Sequence, residues 1–569
     1  MEYMPKAKPG KNPAAGAHGG GVRGDQVNRG SRIFEGRFGR MFRALPAAEF
    51  TSERLEALAH AMSADPEIDE KDPKKPAAAP ETPNHLQDGE ENSGISAGYT
   101  YFGQFIDHDL TFDPASSLQK RNDPDGLIDF RTPAFDLDCL YGRGPDDQPY
   151  MYTADARQFI LGDALTESIG GPRKTFDVPR LGERRRAVIG DKRNDENVIV
   201  SQLQSVFLQF HNRIAAEQPH LSFIEVQRLV RWHYQYVVLH DYLPKIVGEE
   251  TMKKIWPGRQ HGNVCGNEPK LCFYHFHDNA YMPIEFAAAA YRFGHSMVRP
   301  IYRLNTKHAD ALAGDNAALA GRFFIFAGVQ ERGLNGFGQF PRHWAIDWSL
   351  FFDINGSGKL GGTQRAQPAY KIDTSIVNPL AFLPEFSRPP LAKGTPLRIG
   401  DDTLQSKEIN HASPNNLAIR NLWRGNSMGL PSGQAVARAM GEEPLKNDDL
   451  WVGKAQLDDQ GNIDAVKLAT VADGCFLDNS PLWYYILAEA NAQWAKEVSA
   501  KKLKGDAANA VPVTLGTVGG RIVAETFIGL LMADSHSFLN QDPRWKPGHS
   551  TAPGGKFTMS ELVSYALQL

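Results

Sequence analysis

Hydrophobic residues recur at intervals of three and four along much of the chain. In the clearest run, which starts at Val198, the apolar positions are Val200, Leu203, Val206, Phe207, Phe210 and Ile214. This spacing puts apolar side chains on one face of a helix, whereas a strand would alternate. The same period occurs in residues 223–243, 284–298, 480–498 and 519–533. Because strand-like runs are few and short, the pattern predicts a mainly α fold with long loops.

Two stretches near the N-terminus lack this periodicity. Residues 1–45 begin with a Gly-, Lys- and Ala-rich run and are predicted to form a flexible arm. Residues 46–94 are predicted to be a loosely ordered lead-in, because much of this stretch is dense in Pro and charge. Neither a comparable linker nor an internal repeat follows. Residues 95–569 are therefore expected to form a single large helical domain.

Charge and hydropathy exclude two classes of partner. The 569 residues contain 62 Lys and Arg against 67 Asp and Glu, a formal net charge of -5. This balance provides no basic surface for nucleic acid and no polybasic membrane signal. The longest apolar runs, such as residues 527–533, are far shorter than the roughly 18 residues that a membrane-spanning helix needs. We therefore expect no nucleic-acid partner and no membrane span.

The N-terminal residues and the cysteines bear on the compartment. No apolar segment of the kind found in secretory signals is visible at the N-terminus. We expect a cytoplasmic protein or one exported to the extracellular space without a leader. Four Cys residues are also too few for a disulfide scaffold.

Three short strings match known motifs but lack the required context. GNSMG at 425–429 fits the nucleophile elbow of hydrolases, and HGGG at 18–21 resembles an oxyanion-hole motif. An elbow requires an apolar strand directly before its Ser, whereas LAIRNLWR precedes Ser427. A hydrolase is therefore not expected. RGD at 23–25 matches an adhesion tripeptide, for which chance is the usual explanation.

The segment AGYTYFGQFIDHDLTFD at 97–113 carries a denser set of chemical groups. It places Gln104 and His108 four residues apart, on one helix face, with Asp107 and Asp109 beside the imidazole. Taken alone, such a histidine is most often part of a structural ion pair or a helix cap.

Three further segments favour a functional role for His108 instead. They are GDKRNDE at 190–196, RTPAFDLDCLYG at 131–142 and YRFGHSMVRP at 291–300. Each has an ordinary structural explanation: exposed charge, a solvated edge strand and a core histidine. Together, in this order, the four segments resemble the animal-type haem peroxidases of the peroxidase–cyclooxygenase superfamily, including their bacterial members. The resemblance extends from about residue 95 to about residue 540, and it implies a helical fold around haem b.

The resemblance assigns roles on the distal side of the haem. Gln104, Asp107, His108 and Asp109 match the family pattern Q-x-x-D-H-D. His108 would be the acid–base catalyst that moves a proton between the oxygens of hydrogen peroxide. Arg193 would stabilise charge on the leaving oxygen, and Gln104 would order a water or a halide.

On the proximal side, His295 matches the family's ligand of the haem iron in R-x-G-H. Asn421 would accept a hydrogen bond from its second nitrogen, which implies a relatively high iron potential. Arg292 is assigned to cofactor binding on the same side. It also stands where the fatty-acid oxygenase branch places a radical-forming Tyr.

The resemblance further implies covalent links and a second metal. Asp107 and Glu196 match the carboxylates that form esters with haem methyl groups, whereas Asn197 replaces the Met that forms a sulfonium link in one branch. A calcium site is also implied, because hard oxygen ligands suit this ion. Its ligands would be Asp109, Thr132, the carbonyl of Ala134, Asp136 and Asp138.

The expected function is therefore that of a haem peroxidase. It would reduce hydrogen peroxide, oxidise small organic donors or halides, and serve in the response to oxidative stress. Two alternatives remain: a fatty-acid dioxygenase of the same superfamily, and a catalytically silent adhesion protein for which RGD is a weak indication.

Overall fold

Helices form most of the regular structure, and strands are short and few. The structure is a computed structural model that describes residues 38–64, 89–112, 129, 131–165, 175–183, 185–258, 268–276, 279–305, 322–326, 333–360, 364–381, 383, 414–458, 460–548 and 556–569. The mainly α fold with few short strands is confirmed. The HGGG and RGD strings lie outside the described residues.

The α-helices of the described part differ widely in length. They are α1 (Ser52–Met62), α2 (Ala97–Leu110), α3 (Asp138–Tyr141), α4 (Val198–Glu217), α5 (Phe223–Val237), α6 (Leu243–Val247), α7 (Glu249–Ile255), α8 (Ile284–Ala287), α9 (Asn378–Ala381), α10 (Leu417–Ser427), α11 (Gly433–Ala439), α12 (Leu482–Ala500), α13 (Gly505–Asn509), α14 (Thr517–Ala533), α15 (Phe538–Gln541) and α16 (Met559–Leu567). No helix among the described residues is long and apolar enough to cross a membrane.

Four of the five periodic stretches form helices as predicted. α4 begins at Val198 because the side-chain oxygen of Asn197 accepts the free N–H groups of Ile199 and Val200. α5 begins with a capping box between Ser222 and Glu225, and it continues through a π-helical turn at Val238–Tyr242 into α6. α12 and α14 account for 480–498 and 519–533.

The prediction of one continuous helix over 284–298 is wrong. α8 ends at Ala287, and a separate 3-10 segment covers Ala290–His295. The break falls at Ala289, whose φ of -139° and ψ of -70° lie outside the helical region. The Nε of Arg292 donates to the carbonyl of Ala287 across the break, at 2.9 Å. The hydroxyl of Tyr291 also donates to the carbonyl of Gly103 in α2, at 3.2 Å. Contacts of this kind override the high helix propensity of the alanines.

The N-terminal boundaries also differ from the prediction. Residues 38–45 do not form an arm: Phe38, Met41 and Phe42 are buried, and the N–H groups of the last two donate to the buried carboxylate of Glu285. Within the predicted lead-in of 46–94, α1 is well ordered and packs against α10. The predicted domain start at residue 95 falls inside a strand, Glu91–Ser96.

The strands of the described part form pairs. They are β1 (Phe38–Gly39), β2 (Glu91–Ser96), β3 (Arg180–Leu181), β4 (Arg186–Ala187), β5 (Met282–Pro283), β6 (Ile301–Arg303), β7 (Arg322–Phe324), β8 (Pro368–Tyr370), β9 (Trp451–Leu457) and β10 (Ile463–Lys467). β1 pairs with β5 in parallel, whereas β2 with β8, β3 with β4, β6 with β7 and β9 with β10 are antiparallel.

An aromatic cluster in the core holds α2 in place. Phe105 stacks on Phe207 of α4 with ring centroids 4.5 Å apart, and Phe102 meets Tyr242 edge-on at 5.5 Å. A Cβ at Gly103 would lie 2.4 Å from the hydroxyl of Tyr242, so only glycine permits this close approach. The packing leaves Gln104 and His108 directed towards the segment that precedes α4.

Candidate active site

His108 is held by a buried amide from the segment that precedes α4. This segment contains the 3-10 turn Lys192–Asp195. The Nδ1 of His108 lies 2.7 Å from the Oδ1 of Asn194, and the Nδ2 of Asn194 donates to the Oε1 of Gln204 at 2.8 Å. Because the second bond orients the amide, its oxygen faces the imidazole. The proton of neutral His108 therefore resides on Nδ1, and Nε2 is the basic nitrogen.

Electrostatics keep this imidazole neutral. Burial and the nearby Arg193 guanidinium lower the pKa of His108 to about 4. Both effects disfavour the imidazolium form. At neutral pH His108 can therefore accept a proton, as the first step of acid–base catalysis requires.

Arg193 lies beside His108, as predicted. Its Nη2 donates to the backbone carbonyl of His108 at 3.0 Å and to the carboxylate of Asp191 at 2.8 Å. The guanidinium also lies over the ring of Phe112, with its central carbon 4.6 Å from the ring centroid. A permanent positive charge is thus fixed next to the candidate acid–base group.

Gln104 occupies a different environment from the one predicted. Its Nε2 donates to the carboxylate of Glu196, and its Oε1 accepts from the Nδ2 of Asn197 at 3.2 Å. Both ends of the amide are therefore engaged by protein groups. The predicted role in ordering a water or a halide requires at least one of these bonds to open.

The two candidate ester residues both lie close to Gln104. Glu196 contacts Gln104, and Asp107 lies one helical turn further along α2. The Oδ1 of Asp107 accepts from the hydroxyl of Thr111 at 3.0 Å. Both carboxylates influence the guanidinium of Arg193 electrostatically.

On the proximal side, the structure brings together His295, Asn421 and Arg292. The Nδ2 of Asn421 lies 2.7 Å from the Nδ1 of His295. The Oδ1 of the same amide accepts from the Nη1 of Arg292 at 3.4 Å. The predicted partners therefore meet, but the amide is turned so that Asn421 donates. Rotating the amide by 180° would let Asn421 accept from His295 as predicted, but its Nδ2 would then face the Nη1 of Arg292, and the bond between Asn421 and Arg292 would be lost.

Burial and the neighbouring charge of Arg292 lower the pKa of His295 to about 3. A neutral imidazole is the form that binds a metal. If His295 is the ligand of the haem iron, it therefore needs no deprotonation before it binds.

The predicted calcium ligands are only partly assembled. Residues 131–137 form bends, and Asp138 opens α3. The hydroxyl of Thr132 donates to Asp136 at 2.6 Å, and a guanidinium nitrogen of Arg131 lies 3.8 Å from Asp138. Within the described ranges, no group of three or more His, Cys, Asp and Glu residues is arranged to hold a metal ion.

One carboxylate oxygen in this region nevertheless has surroundings that favour a bound cation. The Oδ1 of Asp109 is buried without a hydrogen-bond partner in the described part of the chain. Burial, together with the neighbouring Asp136, raises the pKa of Asp109 well above its usual range. A bound cation would compensate both effects.

Comparisons with known proteins support the resemblance. The model of the animal haem peroxidase family matches residues 172–338, which include Arg193 and His295. A human (Homo sapiens) peroxidasin homolog is 32% identical over 231 residues, covering 37% of this chain and 15% of the relative. Dog (Canis lupus familiaris) thyroid peroxidase is 26% identical over 248 residues, covering 39% of this chain and 24% of the relative. Residues 172–338 are thus similar to the animal haem peroxidase family.

The fold comparison extends over nearly the whole chain. Peroxidase A from Dictyostelium discoideum has a TM-score of 0.52 and 15% sequence identity, with 93% of both chains covered. By contrast, the alignments span less than a quarter of the two curated relatives. The likeness in fold therefore extends beyond the segment that the family model matches.

The match of residues 172–338 to the animal haem peroxidase family points to haem as a cofactor, and the candidate residues fit it. In His108 and His295 alike, Nδ1 is held by an amide. Neither Nε2 has a hydrogen-bond partner among the described residues. A Cβ at Gly294, next to His295, would meet no atom within 4 Å, so open space lies beside this ligand. An imidazole ligand with a second imidazole and a guanidinium suits peroxidase-type haem.

The sequence did not single out Asp191, Asn194 or Arg131, although all three contact predicted site residues or their neighbours. Asp191 and Asn194 belong to the string GDKRNDE. From the sequence alone, such a string cannot be distinguished from a charged turn that is exposed to solvent. Only its burial against α2 shows that these side chains face inwards.

Proposed function

We propose that this chain is a haem-dependent peroxidase that reduces hydrogen peroxide and oxidises small organic donors or halides. The observation that carries the proposal is the pairing of a neutral, buried His108 with the fixed charge of Arg193. The orientation of His108 supports it further, because Asn194 leaves Nε2 as the basic nitrogen.

The chain's own residues account for the movement of protons. The Nε2 of His108 takes a proton from one oxygen of hydrogen peroxide and returns it to the other, which leaves as water. Arg193 stabilises the negative charge that develops on the leaving oxygen. Haem, when bound, supplies the electrons for this two-electron reduction, and the donor later replaces them. Proton shuttling of this kind typically contributes about 10²–10⁴-fold in rate.

Haem reconstitution followed by peroxide titration tests the proposal. We expect a Soret band, a spectral change upon addition of hydrogen peroxide, and turnover of a phenolic donor. A haem-bound protein that consumes oxygen with linoleate would instead favour the dioxygenase alternative. A chain that takes up no haem would support the silent adhesion protein.

We further propose that Asp107 and Glu196 form ester bonds with haem methyl groups. Support comes from the presence of both carboxylates on the distal side. After peroxide treatment, acid–acetone extraction should leave haem on the wild-type polypeptide and release part of it from Asp107→Asn and Glu196→Gln. Complete extraction from the wild type would contradict this assignment.

Calcium is proposed as the second cofactor, bound by Asp109, Thr132, Ala134, Asp136 and Asp138. The unpartnered, buried oxygen of Asp109 supports it. If calcium binds here, chelation should lower the melting temperature, calcium should restore it, and Asp136→Asn should lose the response. Magnesium serves as the control, because it prefers a smaller octahedral site. An unchanged melting temperature in chelator would contradict the calcium site.

A further inference from the structure

The carboxylate of Asp191 binds one edge of the Arg193 guanidinium. Its Oδ1 accepts the backbone N–H of Arg193 at 2.8 Å and lies 3.2 Å from Nε. Its Oδ2 accepts from Nη2 at 2.8 Å. The carboxylate is almost completely buried, so water competes little for these bonds.

These hydrogen bonds determine which nitrogen of the Arg193 guanidinium remains available to bind a ligand. Nε and Nη2 are both engaged by Asp191, and Nη2 also donates to the carbonyl of His108 at 3.0 Å. Nη1 has no hydrogen-bond partner within the described part of the chain. Since the guanidinium is planar, fixing one edge fixes the direction of Nη1.

A second arginine shares the same carboxylate. The Nε of Arg131 lies 3.2 Å from Asp191, and its Nη2 also donates to it. Burial alone would raise the pKa of Asp191, but the charges of Arg193 and Arg131 hold it well below its usual range. The carboxylate is therefore permanently ionised and cannot release Arg193 by taking up a proton under ordinary conditions.

We propose that Asp191 is a positioning residue that aims the Nη1 of Arg193 at the anionic ligand or leaving oxygen of the distal pocket. This inference rests on the peroxidase function proposed above. It assigns Asp191 no contact with substrate, because within the described residues every hydrogen bond of its carboxylate goes to Arg131 or Arg193.

The test uses Asp191→Asn in the haem-loaded protein. Asparagine can still accept the backbone N–H of Arg193, but it cannot offer two charged oxygens to the guanidinium. Asp177→Asn is the matched control. Asp177 is equally buried and binds Arg180 at 2.7 and 3.0 Å. Arg180 also binds Asp195, but in the described part of the chain it has no hydrogen bond to His108, Asn194 or Arg193. Cyanide serves as the probe for anion binding, because its affinity can be measured from the Soret shift without turnover.

We expect Asp191→Asn to retain haem while its second-order rate constant with peroxide falls about tenfold or more. The cyanide dissociation constant should rise, and the KM for the donor should stay unchanged. In an Arg193→Ala background, Asp191→Asn should cause no further loss, because it acts through Arg193. Asp177→Asn should lower thermal stability without changing either constant.

Two outcomes would overturn the inference: an Asp191→Asn variant whose rate and cyanide affinity match those of Asp177→Asn, or an equal loss in the Arg193→Ala background. If the wild type binds haem but does not react with peroxide, the proposed function fails separately. The cyanide comparison then still decides the role of Asp191.

Discussion

The Nδ1 of His108 lies 2.7 Å from the Oδ1 of Asn194. Since the Nδ2 of Asn194 is engaged by Gln204, the amide cannot turn without losing a second buried bond. The pair fixes both the direction of the imidazole and its tautomer. A neutral acceptor also adds no charge that would favour imidazolium.

Replacing Asn194 should therefore impair the acid–base step. In Asn194→Ala the buried Nδ1–H loses its acceptor, at a cost of about 1–3 kcal/mol, and the tautomer is no longer fixed. We expect the reaction with peroxide, measured by stopped-flow absorbance, to slow by about tenfold or more. Asn416→Ala is the control, because this buried Asn caps α10 and should affect stability alone. Equal rates in both variants would contradict the role of Asn194.

The two candidate histidines should respond differently to alanine substitution. His295→Ala should lose haem, because it removes the proposed ligand of the iron. His108→Ala should keep haem but react with peroxide about 10²–10⁴-fold more slowly. The ratio of Soret to protein absorbance gives haem content, and stopped flow gives the rate. Equal haem loss in the two variants would refute the division into distal and proximal sides.

Asn197 should combine two separable roles. Its Oδ1 caps α4, and its Nδ2 holds Gln104. Asn197→Ala should lower the free energy of unfolding by about 1 kcal/mol, as for other N-caps, in a urea titration. Asn197→Ser should keep most of that stability, because a hydroxyl also caps helices. A serine variant as unstable as the alanine variant would indicate that the bond to Gln104, and not the cap, provides the stability.

Buried Asp373 should make stability depend on pH. Burial raises its pKa to about 6, although its carboxylate accepts the N–H groups of Ala455 and Ser375. The folded state therefore holds the proton more tightly than the unfolded state. Stability should fall as pH rises from about 4 to about 6, by at most about 1.4 kcal/mol per pH unit from this group.

Urea unfolding of the wild type and of Asp373→Asn at several pH values measures this effect. Relative to Asp373→Asn, the wild type should lose unfolding free energy as the pH rises to about 6. Above that pH the difference between the two proteins should stay constant. A difference that is constant with pH would show that Asp373 does not titrate in this range.

Periodicity predicted α4, α5, α12 and α14 because apolar side chains recur every three or four residues in each, although α4 and α14 are in fact buried on nearly every side. It did not predict the break before His295, since the alanines there favour a helix and the interruption comes from contacts with other segments. Because residues 38–45 lack this periodicity, they were predicted to belong to a flexible arm. Their order depends on Glu285, more than 240 residues away in the chain.

The sequence by itself determined the kind of fold, and it singled out candidate distal and proximal residues and a resemblance to the animal haem peroxidases, because these follow from local spacing and motif order. Only the tertiary structure decided the hydrogen-bond partners: Asn194 for His108, Asp191 for Arg193, and Glu196 with Asn197 for Gln104. The reason is physical. A partner is set by which polar atoms become buried together, and burial depends on how distant segments pack.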